Sequence, residues 1–228
     1  MGKSDQIKKV AVIGLGSFGK NLVKTLAKKK NMEIIAIDLD PVRVNEIKHL
    51  ATQPLIMDAT VKENLKSVGI IDVDYAIVSS GPSLEPSILT VHILKELNVT
   101  HIIAKALSED HERILHLVGA TEVVFPERDS AEKVGNQITT PNLIDYIPLQ
   151  SGFVIQEIAP PEDFLGKTLL EIDLRKKFKI TVLAIKSIIP DISIINPSSD
   201  IIIKDSDILI VFGEEKDIET LHKYTMNS

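Results

Sequence analysis

The amino-acid sequence predicts an α/β fold, a doubly wound parallel sheet followed by a small α+β domain. Three observations lead there. Up to about residue 127, short apolar runs alternate with amphipathic stretches of helical period. A Gly-x-Gly-x-x-Gly turn follows the first apolar run, and an acid closes the second. Beyond about residue 150 the apolar runs adjoin one another, as in an antiparallel module.

Taken in order, the first strand is 9–13, Lys9-Val10-Ala11-Val12-Ile13. It runs into Gly14-Leu15-Gly16-Ser17-Phe18-Gly19 and a helix over 17–30. The three glycines serve different ends. Gly14 permits the tight turn, Gly16 leaves the backbone bare beside a pyrophosphate, and Gly19 lets the helix pack closely. The helix N-terminus offers N–H groups and partial positive charge to phosphate oxygens. The second strand, 33–37, ends at Asp38, 19 residues after Gly19, where a carboxylate meets a ribose diol. This strand–turn–helix–strand–acid order is a Rossmann-type nucleotide-binding unit. A helix at 41–50 follows, with Pro41 at a position that tolerates it. Then come strand 54–57, helix 61–68, strand 74–79, helix 85–97, strand 100–105, helix 108–118 and strand 121–125. Near-continuous apolar strands indicate a sheet covered on both faces. The expected strand order is 3-2-1-4-5-6.

After Pro126-Glu127-Arg128-Asp129 a helix runs to about Thr140 and is broken at Thr139-Thr140-Pro141-Asn142. Residues 143–151 read as a bridge, so the expected domains are 1–145 and 146–228. The second domain reads as strand 152–159, helix 168–178, strands 180–187, 192–195 and 207–212, and helix 215–224. The isoleucine-rich stretch from Ile188 to Ile203, interrupted by Pro190 and Pro197, reads as short strands and turns.

Composition narrows the function. A net charge of −6 argues against a dedicated nucleic-acid binder. The run Lys28-Lys29-Lys30 falls at the end of the first helix, where cations favour the dipole. The absence of cysteine excludes disulfides, thiolate catalysis and cysteine-ligated metals. No apolar run reaches the roughly 18 residues of a membrane span. Met1-Gly2 lacks the serine or threonine that N-myristoylation needs, Gln6 standing there instead. A cytoplasmic location is the expectation.

Ligands of this topology lie at the carboxyl ends of the strands. The candidates there are Asp38, then Asp58-Ala59-Thr60, Ser79 and Gly81, Lys105 and Glu127. Asp58 either borders a base or caps a helix. Lys105 either reaches phosphate or is solvated. The six histidines form no metal pair, and His111 and His116 face different sides of one helix. The last 75 or so residues hold one histidine, His222, and one tyrosine, Tyr224, which is little for hydride or proton transfer. The nucleotide therefore reads as a signal, and the chain as a non-enzyme. A small NAD(H)-dependent oxidoreductase and a redox-sensing transcription regulator stand as alternatives.

The chain resembles the RCK family, the cytosolic regulatory subunits of Ktr/Trk-type potassium uptake systems. The resemblance rests on Val12-Ile13-Gly14-Leu15-Gly16-x-Phe18-Gly19, Ala36-Ile37-Asp38, Asp58-Ala59-Thr60, Lys105-Ala106 and Pro126-Glu127-x-Asp129. It continues through Gly166-Lys167-Thr168-Leu169, Leu174-Arg175-x-Lys177-Phe178 and Val182-Leu183-Ala184-Ile185. It implies a homo-oligomer, subunits paired through the crossover helix after Asp129 and four such dimers in an octameric ring beneath a membrane potassium-channel subunit. It implies an adenine nucleotide (ATP, ADP or NAD(H)) at Gly14, Gly16, Ser17, Phe18, Gly19 and the strand-end residues above, and a divalent cation at Glu127. It further implies cyclic di-AMP at Leu169, Leu170, Asp173, Arg175 and Pro197. One departure is Ser17, which stands where ATP-responsive members carry an arginine that meets the terminal phosphate.

Overall fold

The computed structural model describes residues 7–79, 81, 83–139 and 143–226. Met1 to Gln6, Ser80 and the expected break at Thr140-Pro141-Asn142 lie outside the described residues. The chain divides into two compact units, Met1–Glu127 and Arg128–Ser228.

The first unit is a six-stranded parallel sheet in the order β3-β2-β1-β4-β5-β6, the expected one. Its strands are β1 (Lys8–Ile13), β2 (Met32–Asp38), β3 (Gln53–Ile56), β4 (Tyr75–Val78), β5 (Ile102–Lys105) and β6 (Glu122–Val124). The linking helices are α1 (Ser17–Leu26), α2 (Pro41–Ile47), α3 (Lys62–Ser67), α4 (Leu84–Glu96) and α5 (Glu109–Val118). The apolar runs of β1 and β2 are buried over four successive residues each because both faces are covered. One core joins Ala11, Ile13 and Ile37 of the sheet to Val91, Leu94 and Leu115 of α4 and α5. The other joins Val10, Val12 and Ala36 to Val23, Val44 and Ile47 of α1 and α2. Parallel strands wound this way place every strand-to-helix turn on one edge, and there the cleft forms.

One expectation about this unit is corrected, and one open alternative is settled. Helix α1 ends at Leu26, so Lys28-Lys29-Lys30 lies past the helix. There Asn31 takes a left-handed conformation, φ 59°, and its carbonyl accepts from Lys8 N–H as the chain turns into β2. Nor does Asp58 cap α3, whose N-cap position is Val61.

Helix α6 (Pro126–Thr139) follows β6, and the second sheet is antiparallel in the order β10-β9-β11-β8-β7. Its strands are β7 (Leu143–Pro148), β8 (Phe153–Ile158), β9 (Thr181–Ser187), β10 (Ile192–Ile195) and β11 (Asp207–Glu214). Helices α7 (Leu169–Ile172), α8 (Leu174–Phe178) and α9 (Glu215–Met226) complete the unit. Burial alternates along β8, because one face of this sheet packs on the core of Val154, Ile158, Ile172, Leu174, Leu209 and Ile218. The stretch read as a bridge, 143–151, contains a true strand, and the boundary placed at residue 145 falls inside it. β7 is an edge strand, where Pro148 is tolerated, and the proline hid the strand from a reading of pattern. The single helix expected over 168–178 is two. Asp173 sits between them in the left-handed region, φ 51°, which a short polar side chain adopts more readily than an apolar one.

Candidate functional site

The first cleft, about 300 Å³, opens at the carboxyl edge of the parallel sheet. It is lined by Gly14, Asp38, Asp58, Ala59, Thr60 and Gly81 of the sequence candidates, together with Arg43, Met57, Pro86 and Thr90. Gly14 leaves β1 with φ 91°, a conformation that a Cβ would strain. A Cβ on Gly19 would stand 2.0 Å from the Gly14 carbonyl oxygen, so α1 lies directly on the turn. A Cβ on Gly16 would meet no protein atom within 4 Å; its bare backbone faces open space. Gly16 is also the N-cap of α1 and brings no side chain to cap it, so the first N–H groups of the helix suit an anion.

Asp38 is fixed before any ligand arrives. Its Oδ2 accepts from Leu15 N–H at 2.6 Å and its Oδ1 from Asp40 N–H at 2.8 Å. The carboxylate thus joins the glycine turn to the loop after β2, and each oxygen keeps a lone pair for a hydroxyl. Arg43 stands over it, with Nη1 at 3.6 Å from Asp38 Oδ2 and Nε at 3.4 Å from Asp40 Oδ2. Asp40 in turn caps α2 by accepting from Val42 N–H. Asp58 Oδ1 accepts from both the amide and the hydroxyl of Thr60, at 2.9 and 2.6 Å. The Thr60 hydroxyl, followed by its amide, holds the Asp58 carboxyl below the usual aspartate range.

The remaining candidates lie outside this lining. Ser79 is buried and its N–H donates to the Ile13 carbonyl, extending the sheet by one bond. Ser17 opens α1, whereas Phe18 packs against the core of the other face and lines an apolar recess with Leu22, Tyr75 and Ile103. Lys105, at the end of β5, pairs with Glu127 at 2.5 Å; that bond keeps the Glu127 carboxyl below its ordinary value. Among the described residues no three carboxylate or imidazole groups converge as a metal site would require. Arg43 escaped the sequence reading.

A second cleft, about 390 Å³, lies in the antiparallel unit. All five sequence candidates there, Leu169, Leu170, Asp173, Arg175 and Pro197, line it, with Leu174, Thr181 and Ser199. The capping box of Thr168 and Glu171 fixes the start of α7, and the left-handed Asp173 turns the chain into α8.

Among the described residues no helix is long and apolar enough to cross a membrane. Comparison with known proteins accounts for both units. Residues 10–126 match the TrkA-N domain and residues 154–226 the TrkA-C domain. The chain is 38% identical to the Ktr system potassium uptake protein C of Bacillus subtilis, over 97% of its own length and 99% of the relative's. It is 34% identical to the Ktr system potassium uptake protein A of the same organism, covering 93% and 94% of the two chains. Among solved structures, the GsuK RCK domain aligns over the whole chain with a TM-score of 0.51 and 22% identity, this chain spanning 48% of that one. Over nearly its entire length, therefore, the chain belongs to the family of TrkA-N and TrkA-C domain proteins that includes the Ktr system potassium uptake proteins.

Proposed function

We propose that this chain is the nucleotide-sensing regulatory subunit of a potassium uptake system whose membrane pore is a separate chain. The observation that carries the reading is the strand-end cleft with Gly14, Gly16 and Asp38 in one constellation, on a chain similar throughout to potassium uptake proteins. An adenine nucleotide (ATP, ADP or NAD(H)) sits with its ribose on Asp38, its phosphates over Gly16 and the start of α1, and Lys105 beyond. The unit up to Glu127 binds it, α6 serving as the crossover between paired subunits. The part beyond senses a second ligand, cyclic di-AMP, at Arg175 and its neighbours. A cation at Glu127 would be shared by the carboxylates of two paired copies. Dimers assemble into an octameric ring at the cytoplasmic face of the membrane, and nucleotide exchange alters the ring and so the pore. No chemical step is involved. Two linked sites in one protein obey reciprocity: a nucleotide that shifts pore affinity is itself bound differently by the pore complex.

The test is co-expression with a candidate potassium-channel subunit in a bacterium deficient in potassium uptake. Growth on low potassium that needs both chains, and is lost with Gly16→Val, supports the proposal. Copurification with no channel, or steady consumption of ATP or NADH above a Gly16→Val blank, overturns it.

A further inference from the structure

His111 lies in the first turn of α5 and is 1% exposed. Its ring has two partners on two different elements. Leu107 N–H donates to Nδ1 at 3.2 Å, so Nδ1 carries no proton and Nε2 does. Nε2 stands 3.0 Å from Ser87 Oγ and donates to it. The Ser87 hydroxyl donates onward to the Leu84 carbonyl at 2.7 Å. A continuous chain of donors therefore runs from the turn after β5, through the imidazole, to the first turn of α4.

Helix capping alone does not require a histidine here. Ser108 Oγ accepts from His111 N–H, which is half of a capping box, and the third helical position is usually filled by Glu or Gln reaching back. A glutamate would accept from the turn but, being an acceptor only, would offer Ser87 no proton. A neutral imidazole accepts at one edge and donates at the other. It ties α5 to α4 as well as to its own turn.

One end of the chain adjoins the cleft, and the other lies just past the end of β5. Leu107 is two residues past Lys105, and Leu84 opens the helix whose Pro86 and Thr90 line the cleft wall. Asp38 and Asp58, on β2 and just past β3, stand on the other side of β1 and take no part in it. We infer that His111 is a positioning residue for the α4 wall of the cleft, holding the first turn of α4 in register with the turn after β5. The inference rests on the nucleotide reading given above.

Its test compares adenosine with ADP by calorimetry, well below the melting temperature. Three variants of the full chain are used. Ser87→Ala removes only the link to α4, His111→Asn keeps an acceptor near Nδ1 but does not reach Ser87, and His111→Gln restores an amide donor near Nε2. Ser87→Ala and His111→Asn should weaken ADP and adenosine alike by about five- to tenfold, the scale of one hydrogen bond, since the α4 wall lines the cleft beside Asp58 and Thr60. His111→Gln should recover most of the loss. A loss that His111→Gln does not recover would reduce His111 to a structural residue, and unchanged affinity in Ser87→Ala and His111→Asn would remove the role altogether. If the native protein binds neither ligand, the nucleotide reading fails and takes this inference with it. Native binding with flat variants sinks the inference alone.

Discussion

The two clefts differ little in size, about 300 against 390 Å³, and greatly in construction. The first is made of backbone: a left-handed glycine, a bare helix N-terminus and a carboxylate held by two main-chain N–H groups. The second is made of side chains, mostly apolar, gathered where two short helices meet at Asp173. A backbone site follows from topology and tolerates few residues at its turns. A side-chain site can change its ligand while the fold stays the same, because it asks little of the main chain.

That contrast can be broken most sharply at the glycines. Gly19→Ala drives a Cβ into the Gly14 carbonyl and should cost roughly 2–4 kcal/mol of stability, as overpacking against unyielding backbone does. Gly16→Val meets open space and should leave the melting temperature nearly unchanged while abolishing nucleotide binding. Thermal melts and titrations of the two variants should give opposite patterns, and a shared pattern would mean the cleft is not backbone-built. Next in size is Asp38→Ala, expected to weaken adenine nucleotides by roughly 1.5–3 kcal/mol, the scale of hydrogen bonds to a charged group. Native protein that binds NADP as well as NAD in calorimetry would count against a ribose diol at Asp38, since a 2′-phosphate should be repelled there.

In the second cleft, Arg175→Ala should lower cyclic di-AMP affinity by about tenfold or more and leave adenine nucleotides untouched, a charge-assisted phosphate contact being lost. No binding to native protein at micromolar ligand would instead leave that cleft to another ligand. The smallest effect concerns acid. Burial pushes His111 below its ordinary value, so between the two values the unfolded chain holds more protons than the folded one. The stability it confers is whole above about pH 6.5 and is lost as pH falls through that value toward the folded one. Urea midpoints at pH 7.5 and 5.5 should drop more in the native chain than in His111→Gln; parallel drops would assign the acid sensitivity elsewhere.

Legibility followed the same divide. The strand order, the glycine turn and Asp38 could be read from sequence because each is set by period and by steric demands on one residue. The pairings among charged side chains of this unit could not. Arg43 is three residues past Asp40 on α2, and its pairing with Asp38 depends on how that helix leaves the sheet. Lys105 and Glu127 are 22 residues apart, so their pairing is a property of adjacent strand ends. His111 gave no signal at all: a lone histidine among acids reads as surface, and its two partners lie on different elements. In the second unit, β7 was missed because Pro148 marks a loop and an edge strand equally well. The split at Asp173 was missed because an apolar periodicity carries over a single left-handed residue without a break.

The double anchoring of Asp38 also bears on rates. A loop that had to fold around its ligand would slow association and make it sensitive to whatever stabilises the closed form. Here the acceptor pair is already held by Leu15 and Asp40, so an arriving diol need order only itself. Adenine ligands that differ beyond the ribose should therefore associate at similar rates and separate by their residence times. A sensor built so would report which nucleotide has stayed, over the turnover of many brief visits.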